Sequence, residues 1–305
     1  MNTPEPDDGR PEVVESIAAL RQKLVGRGVV ALVPTLGALH EGHLALVDRA
    51  RELADTVVVS IFVNPLQFGA GEDLERYPRD LAGDLEMLSN HGVAYVFAPT
   101  VDEMYPDGGT ETTVTGGEVA TLFEGRSRPG HFDGVLTVVA KLLGIVRPDH
   151  VLFGQKDAQQ VFLVQRMVAD LNFATRVEVV ETVRADDGLA LSSRNKYLSA
   201  AERAIAPVLY RALATGAAAA SGGPGAVRAA AQAVLDDADR DGTAGASPRV
   251  DYLALADARS YEPVLDDDLD FHGTAVLAIA ARVGTTRLID NVLVEFGMER
   301  HAADD

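Results

Sequence analysis

Residues 29–64 run VVALVPTLGALHEGHLALVDRARELADTVVVSIFVN. VVALVPT (29–35) and TVVVSIFVN (56–64) are continuous apolar runs, as expected of strands covered on both faces. HLALVDRARELAD (43–55) between them has helical spacing. Strand, helix and strand in this order form a βαβ unit, which requires a parallel sheet.

The alternation extends in both directions. SIAALRQKLVGRG (16–28) is helical and ends in glycine. DLAGDLEMLSNHG (80–92) is helical and VAYVFAP (93–99) is a third strand. DGVLTVVAKLLGIV (133–146) is helical before HVLFG (150–154), and DAQQVFLVQRMVADL (157–171) is helical before RVEVVETV (176–183). These runs predict an α/β domain over 12–185, preceded by a loose, Pro- and Asp-rich tail over 1–11. ADDG (185–188) is a turn signal, and a domain boundary is placed near Ala185. Beyond it, YLSAAERAIAPVLYRALATGAAAA (197–220) and AVRAAAQAVLDDADRDG (226–242) are helical, separated by SGGPG. VDYLALADA (250–258), AVLAIAARVG (275–284) and TRLIDNVLVEF (286–296) suggest a smaller sheet, so 186–305 reads as an α+β domain. The Ala-rich stretch 212–234 reads as exposed helix and DDDLD (266–270) as a solvated turn.

The chain of 305 residues is 47% apolar, enough for a sizeable core. Its net charge of −19 repels phosphate, which argues against a nucleic-acid binder or a partner of anionic lipid. An anionic substrate needs local basic residues. The absence of cysteine excludes disulfides and thiolate metal sites. No apolar run approaches 18 residues, so no membrane span is expected and the cytoplasm is the default compartment.

His40 and His43, two of only seven histidines, lie where the first strand turns into a helix. Ligands of open parallel sheets bind beyond the C-terminal strand ends. A helix N-terminus there offers unpaired N–H groups to an anion, and residues at i and i+3 share a face. Gly37 and Gly42 would let a phosphate chain approach the backbone. Zinc is the rival reading, but H-E-G-H lacks the i, i+4 spacing of H-E-x-x-H and a third ligand.

PTLGALHEGH (34–43) resembles the signature of the pantoate–β-alanine ligase family, within the nucleotidyltransferases that carry a His-x-Gly-His motif. The resemblance continues in order through FVNPLQFG (62–69), RPGHFDGV (128–135), LFGQKDAQQ (152–160) and LSSRNKYLS (191–199). It implies a Rossmann-like, doubly wound parallel sheet, a smaller C-terminal lid domain and a homodimer. It also implies a reaction: pantoate and Mg-ATP give a pantoyl adenylate and pyrophosphate, and β-alanine then gives pantothenate and AMP. Leu36 and Leu191 stand where the family signature has methionine, swaps that conserve apolar volume.

Adenylation needs positioning and charge stabilisation around the phosphates. Lys156, one of only four lysines, follows the fourth strand and suits a moving phosphoryl group. By resemblance, Ser192, Ser193 and Arg194 bind phosphate beside His40, His43 and Lys156. Gln67 and Gln160 match pantoate contacts, with Asn64, Pro34, Leu36 and His131 around them; a structural role for His131 is equally open. Leu36, Gly37, Gly154, Asp157, Val183 and Leu191 are expected along the ATP, where Asp157 serves either the ribose or the helix N-terminus. Asp84 matches a magnesium-linked acidic position, next to Gly83 where relatives carry a second acid. Rival functions are another nucleotidyltransferase of this group, a dinucleotide oxidoreductase and a non-catalytic nucleotide-binding regulator. The oxidoreductase lacks a G-x-G-x-x-G after a strand, and the regulator has no need of Lys156, both histidines and Ser-Ser-Arg together.

Overall fold

The computed structural model describes residues 9–69, 71–241 and 247–297. The apolar runs form strands and the amphipathic segments between them form helices. In chain order these are β1 (Glu12–Val14), α1 (Ile17–Leu24), β2 (Val30–Thr35), α2 (Glu41–Leu53), β3 (Thr56–Ile61), α3 (Leu81–Leu88) and β4 (Tyr95–Phe97). There follow α4 (Val101–Met104), α5 (Phe123–Ser127), α6 (His131–Val146), β5 (His150–Gly154), α7 (Ala158–Asp170) and β6 (Arg176–Val180). The six strands lie in the order β1-β4-β3-β2-β5-β6, and each adjacent pair is parallel. The strand order reverses at β2, with β3 on one side and β5 on the other. A crevice beyond the C-terminal end of that strand is where open α/β sheets take ligands.

The continuous apolar character of β2 and β3 has a direct cause. Leu32 and Val58 join α6 residues such as Leu136 and Val139 in one buried cluster. Ala31, Val33, Val57 and Val59 pack with Leu46, Val47 and Ala50 of α2 in another. Both faces are covered, so neither strand can alternate apolar with polar residues.

Residues 9–11, expected as part of a loose tail, are held in place. Residues 1–8 lie outside the described residues, but Gly9 accepts a hydrogen bond from the Asn90 N–H at 2.8 Å and Arg10 pairs with Glu86. Glu12–Val14 then adds an edge strand beside β4. Three residues carry too little periodicity to be read as a strand; the pairing partner, not local pattern, makes it one.

The chain divides into two compact units. The six-stranded unit extends to Gln155 and includes Gln160–Val183 and Leu191–Ser193. The second comprises Lys156–Gln159, Arg184–Ala190 and the chain from Arg194 onward. Here α8 (Ala200–Ile205), α9 (Val208–Ala218) and α10 (Pro224–Asp241) accompany an antiparallel sheet of β7 (Arg249–Asp257), β8 (Gly273–Val283) and β9 (Thr286–Phe296). Pro207 separates α8 from α9 within the single helix expected over 197–220. The exposed helix expected over 212–234 is corrected: Ala212, Leu213, Val227 and Ala231 are fully buried. A side chain at Gly216 would come within 2.8 Å of the Val227 carbonyl, so small residues here let α9 and α10 approach closely. Residues 266–270 are exposed, as a solvated turn requires.

Candidate active site

The loop from β2 to α2 is unusual in its backbone. Gly37 and Ala38 both adopt left-handed conformations, with φ of 87° and 52°. Such a stretch persists only when its surroundings over-determine it. Asp84, buried on α3, supplies the restraint: one carboxylate oxygen accepts the Ala38 N–H at 3.0 Å and the other the Leu39 N–H at 2.7 Å. A Cβ at Gly37 would lie 2.9 Å from that carboxylate. Asp84 thus organises this loop through both of its oxygens. Among the described residues no group of three or more His, Cys, Asp or Glu could hold a metal ion.

His40 and His43 cap the helix reciprocally. His40 is the N-cap of α2, and its Nδ1 accepts the Gly42 N–H at 3.1 Å. His43 Nδ1 accepts the His40 N–H at 3.3 Å. This is the geometry of a capping box with imidazoles in place of Ser and Glu. The rings stand 4.1 Å apart between centroids, tilted by 39°. Because each Nδ1 accepts from a backbone N–H, the proton of each neutral ring sits on Nε2. Two Nε2–H donors beside a helix N-terminus favour an anionic oxygen. The expected role of Gly42 changes: a Cβ there would lie 2.9 Å from the His40 ring, so glycine makes room for the imidazole.

The turn after β3 is held by side chains. Asn64 is fully buried and caps the short 3-10 turn Pro65–Gln67. Its Oδ1 accepts from the Leu66 N–H and from Tyr105 Oη, at 3.3 and 2.7 Å. Its Nδ2 donates to the Gly134 carbonyl and to Gln67 Oε1, at 3.1 and 3.2 Å. That exhausts the amide, so the expected contact of Asn64 with substrate is corrected. Burial raises the Tyr105 hydroxyl to about 12, which keeps it protonated as a donor. A Cβ on Gly134 would lie 2.2 Å from the Leu66 carbonyl oxygen, so only glycine lets α6 carry this turn.

His131 is engaged at both nitrogens. Its Nδ1 donates to the Gln67 carbonyl at 2.8 Å and its Nε2 accepts from Arg128 Nη1 at 2.9 Å. Burial, reinforced by the Arg128 charge, lowers it to about 4. The structural reading of His131 stands, and the expected pantoate contact is corrected, since no ring nitrogen remains for a ligand. Arg128 also forks onto Glu72 at 2.8 and 2.6 Å. Burial alone would raise the Glu72 carboxyl, but Arg128 holds it below its usual range.

Of the remaining expected residues in this unit, Gln160 lies half-buried on the first turns of α7. Pro34 pairs with Ser60 one residue before the end of β2, and Leu36 lies half-buried just past the strand. A Cβ on Gly154 would meet nothing within 4 Å. The Leu191 N–H donates to the Val183 carbonyl at 2.9 Å, bringing those two together. Ser192 is half-buried and Ser193 buried, with Ser193 Oγ 3.3 Å from Tyr77 Oη.

In the second unit, Lys156 Nζ lies 3.5 Å from the half-exposed Asp157 carboxylate. Asn291 Nδ2 on β9 donates to the Lys156 carbonyl at 2.9 Å. Neighbouring Asp290 is held by Arg184 at 2.6 and 2.9 Å, and burial raises its carboxyl against that pull. Arg194 is half-buried in the turn Ser193–Tyr197. Sequence reading did not assign roles to Tyr105, Arg128, Tyr77 or Asn291. RPGHFDGV carried Arg128 in view, whereas Tyr105 stands in no recognisable motif.

The pantoate–β-alanine ligase family model matches residues 11–293. The chain is 55% identical over 287 residues to the pantothenate synthetase of Leifsonia xyli subsp. xyli, covering 91% of this chain and 95% of that one. It superposes on the pantothenate synthetase of Thermus thermophilus with a TM-score of 0.85 at 47% identity, covering 92% of this chain and 98% of that one. The pantoate–β-alanine ligase of Francisella tularensis, solved with a β,γ-ATP ligand and β-alanine, gives 0.75 at 32% identity, covering 93% and 97%.

Proposed function

The chain belongs to the pantoate–β-alanine ligase family and joins pantoate to β-alanine with consumption of ATP, and we propose that it does so through a pantoyl adenylate, releasing pyrophosphate and then AMP. The observation that carries this reading is the reciprocal capping of His40 and His43, which makes Nε2 the donor of each ring. Fixed donors beside a helix N-terminus lower the energy of a pentavalent phosphorus and a departing pyrophosphate without reorganisation. Lys156, Ser192, Ser193 and Arg194 are assigned to the same phosphates; this rests on their motifs, GQKD and LSSRN, and on their chemistry. Leu36, Gly37, Gly154, Asp157, Val183 and Leu191 are assigned to the nucleotide, and Gln67 and Gln160 with Pro34 and Leu36 to pantoate.

In the first step a pantoate carboxylate oxygen attacks the α-phosphorus and the bond to the β-phosphate oxygen breaks. In the second, the β-alanine amine attacks the acyl carbon, the carbon–oxygen bond to the phosphate breaks, and the amine loses its proton. Magnesium enters with ATP as part of the substrate, and Asp84 is assigned beside it because it matches the family's magnesium-linked acidic position. A homodimer in the cytoplasm completes the proposal, and sedimentation of the purified protein tests the dimer.

Pantoate labelled with heavy oxygen in its carboxylate should deliver one label to AMP. Without β-alanine, labelled pyrophosphate should still exchange into ATP when pantoate is present. ADP together with labelled inorganic phosphate would show an acyl phosphate route and sink the reading.

A further inference from the structure

Gln67 is held with its side-chain amide in a single orientation. Two backbone groups settle the orientation of Asn64. The Leu66 N–H can only donate, so the atom facing it is Oδ1; the Gly134 carbonyl can only accept, so the atom facing it is Nδ2. Tyr105 must then donate its single hydroxyl hydrogen to Oδ1. The second hydrogen of Nδ2 is directed at Gln67, whose facing atom must be Oε1. The backbone of Gln67 is committed as well: its N–H goes to the Asn64 carbonyl, and its own carbonyl accepts from His131 and Arg128. What remains of the residue is the Nε2 amino group and the second lone pair of Oε1, on the side of the amide that faces Asn64.

We propose that Tyr105 and Asn64 are positioning and specificity-determining residues that fix the orientation of the Gln67 amide with Nε2 as its donor, so that this subsite favours an oxygen lone pair over an N–H or ammonium group. The inference rests on Gln67 being a pantoate contact. Asn64 and Tyr105 are 0% and 1% exposed, so neither acts on substrate directly. A glutamine in water offers donor and acceptor alike and rotates to suit either. Here an alternative rotamer would set Gln67 Nε2 against Asn64 Nδ2, leaving two buried donors face to face.

Steady-state kinetics with pantoate and ATP varied separately tests this. Gln67→Glu keeps the size and the oxygen that accepts from Asn64 but replaces the donor with a carboxylate oxygen. The pantoate KM should rise roughly 10²-fold or more, beyond the rise in Gln67→Ala, because like charges meet. The ATP KM should stay within about twofold, since a local polar change leaves the rest of the fold intact. Tyr105→Phe retains the ring and removes the donor; its pantoate KM should rise roughly tenfold, and this rise should vanish in the Gln67→Ala background. A Gln67→Ala enzyme with unchanged pantoate KM would remove Gln67 from the site and overturn the reading and the inference together. Weakened pantoate in Gln67→Ala, with Gln67→Glu no worse than Ala, would overturn the inference alone. So would a Tyr105→Phe effect that persists in the Gln67→Ala background.

Discussion

The loop after β2 and the turn after β3 leave neighbouring parallel strands at the same end of the sheet, but different forces hold them. The first is a backbone device: left-handed Gly37 and Ala38, two amides gathered by Asp84, and two imidazoles that cap α2. The second is a side-chain device in which Tyr105, Asn64 and Gln67 pass one hydrogen-bond polarity along, and His131 and Arg128 grip the backbone of Gln67. A backbone device suits phosphate, which takes whatever N–H groups point at it. A side-chain device suits a smaller polar substrate, whose recognition depends on which atoms donate and which accept.

Gly134→Ala attacks the second region most severely. The added methyl would stand 2.2 Å from the Leu66 carbonyl, so the turn has to move. Because misplacement by about 1 Å costs on the order of 10²-fold, kcat/KM for pantoate should fall at least that far, with a lowered melting temperature. Gly154→Ala, with nothing within 4 Å of the new methyl, is the matched control for stability and should melt within a degree or two of the parent. If both variants melt alike, the turn is not fixed by α6.

In the first region, His40→Asn separates capping from catalysis. Asparagine retains an acceptor near the position of Nδ1 but lacks Nε2–H. Turnover should drop roughly 10²–10³-fold while the melting temperature holds; near-normal turnover would remove His40 from the chemistry. Asp84→Asn sharpens the contrast further. Losing one carboxylate acceptor for the Ala38 and Leu39 amides should destabilise the protein by about 1–3 kcal/mol in chemical denaturation, with or without magnesium. An unchanged stability together with a raised magnesium requirement would assign Asp84 to the metal and not to the loop.

The smallest effect concerns pH. His131 is lowered to about 4 by burial and by Arg128, so between that value and its ordinary 6.5 the unfolded chain binds a proton that the folded chain refuses. Stability should therefore rise with pH across this window, by at most ~1.4 kcal/mol per unit. Above about pH 7 the contribution is level. Denaturation curves of His131→Asn should lose that part of the slope; an identical slope in the variant would assign the dependence to other groups.

The loop after β2 was legible because its ingredients are local. Gly37, His40, Gly42 and His43 fall within seven residues, and a helix N-terminus beyond a buried strand announces an anion site. The reason for Gly42 was not legible, since it depends on where the His40 ring turns. The turn after β3 was legible only as a motif. Nothing in FVNPLQFG indicates that Asn64 is spent on Tyr105 and Gly134, which lie 41 and 70 residues away along the chain. His131 was drawn toward substrate for the same reason: a polar residue in a motif looks available until its partners are known.

Period and apolar run length alone determined the parallel sheet, its covered strands and the strands of a smaller sheet in the second unit, because both signals report burial directly. Family motifs in order determined the reaction class. Tertiary structure decided the rest. It made Glu12–Val14 a strand by supplying β4. It buried an alanine-rich helix pair whose composition reads as surface. It also turned Asn64 and His131 from ligand-facing candidates into supports, and it gave Asp84 a loop to hold. In each case the deciding interaction is a hydrogen bond or a close packing contact between segments far apart in the chain, and local periodicity carries no information about such partners.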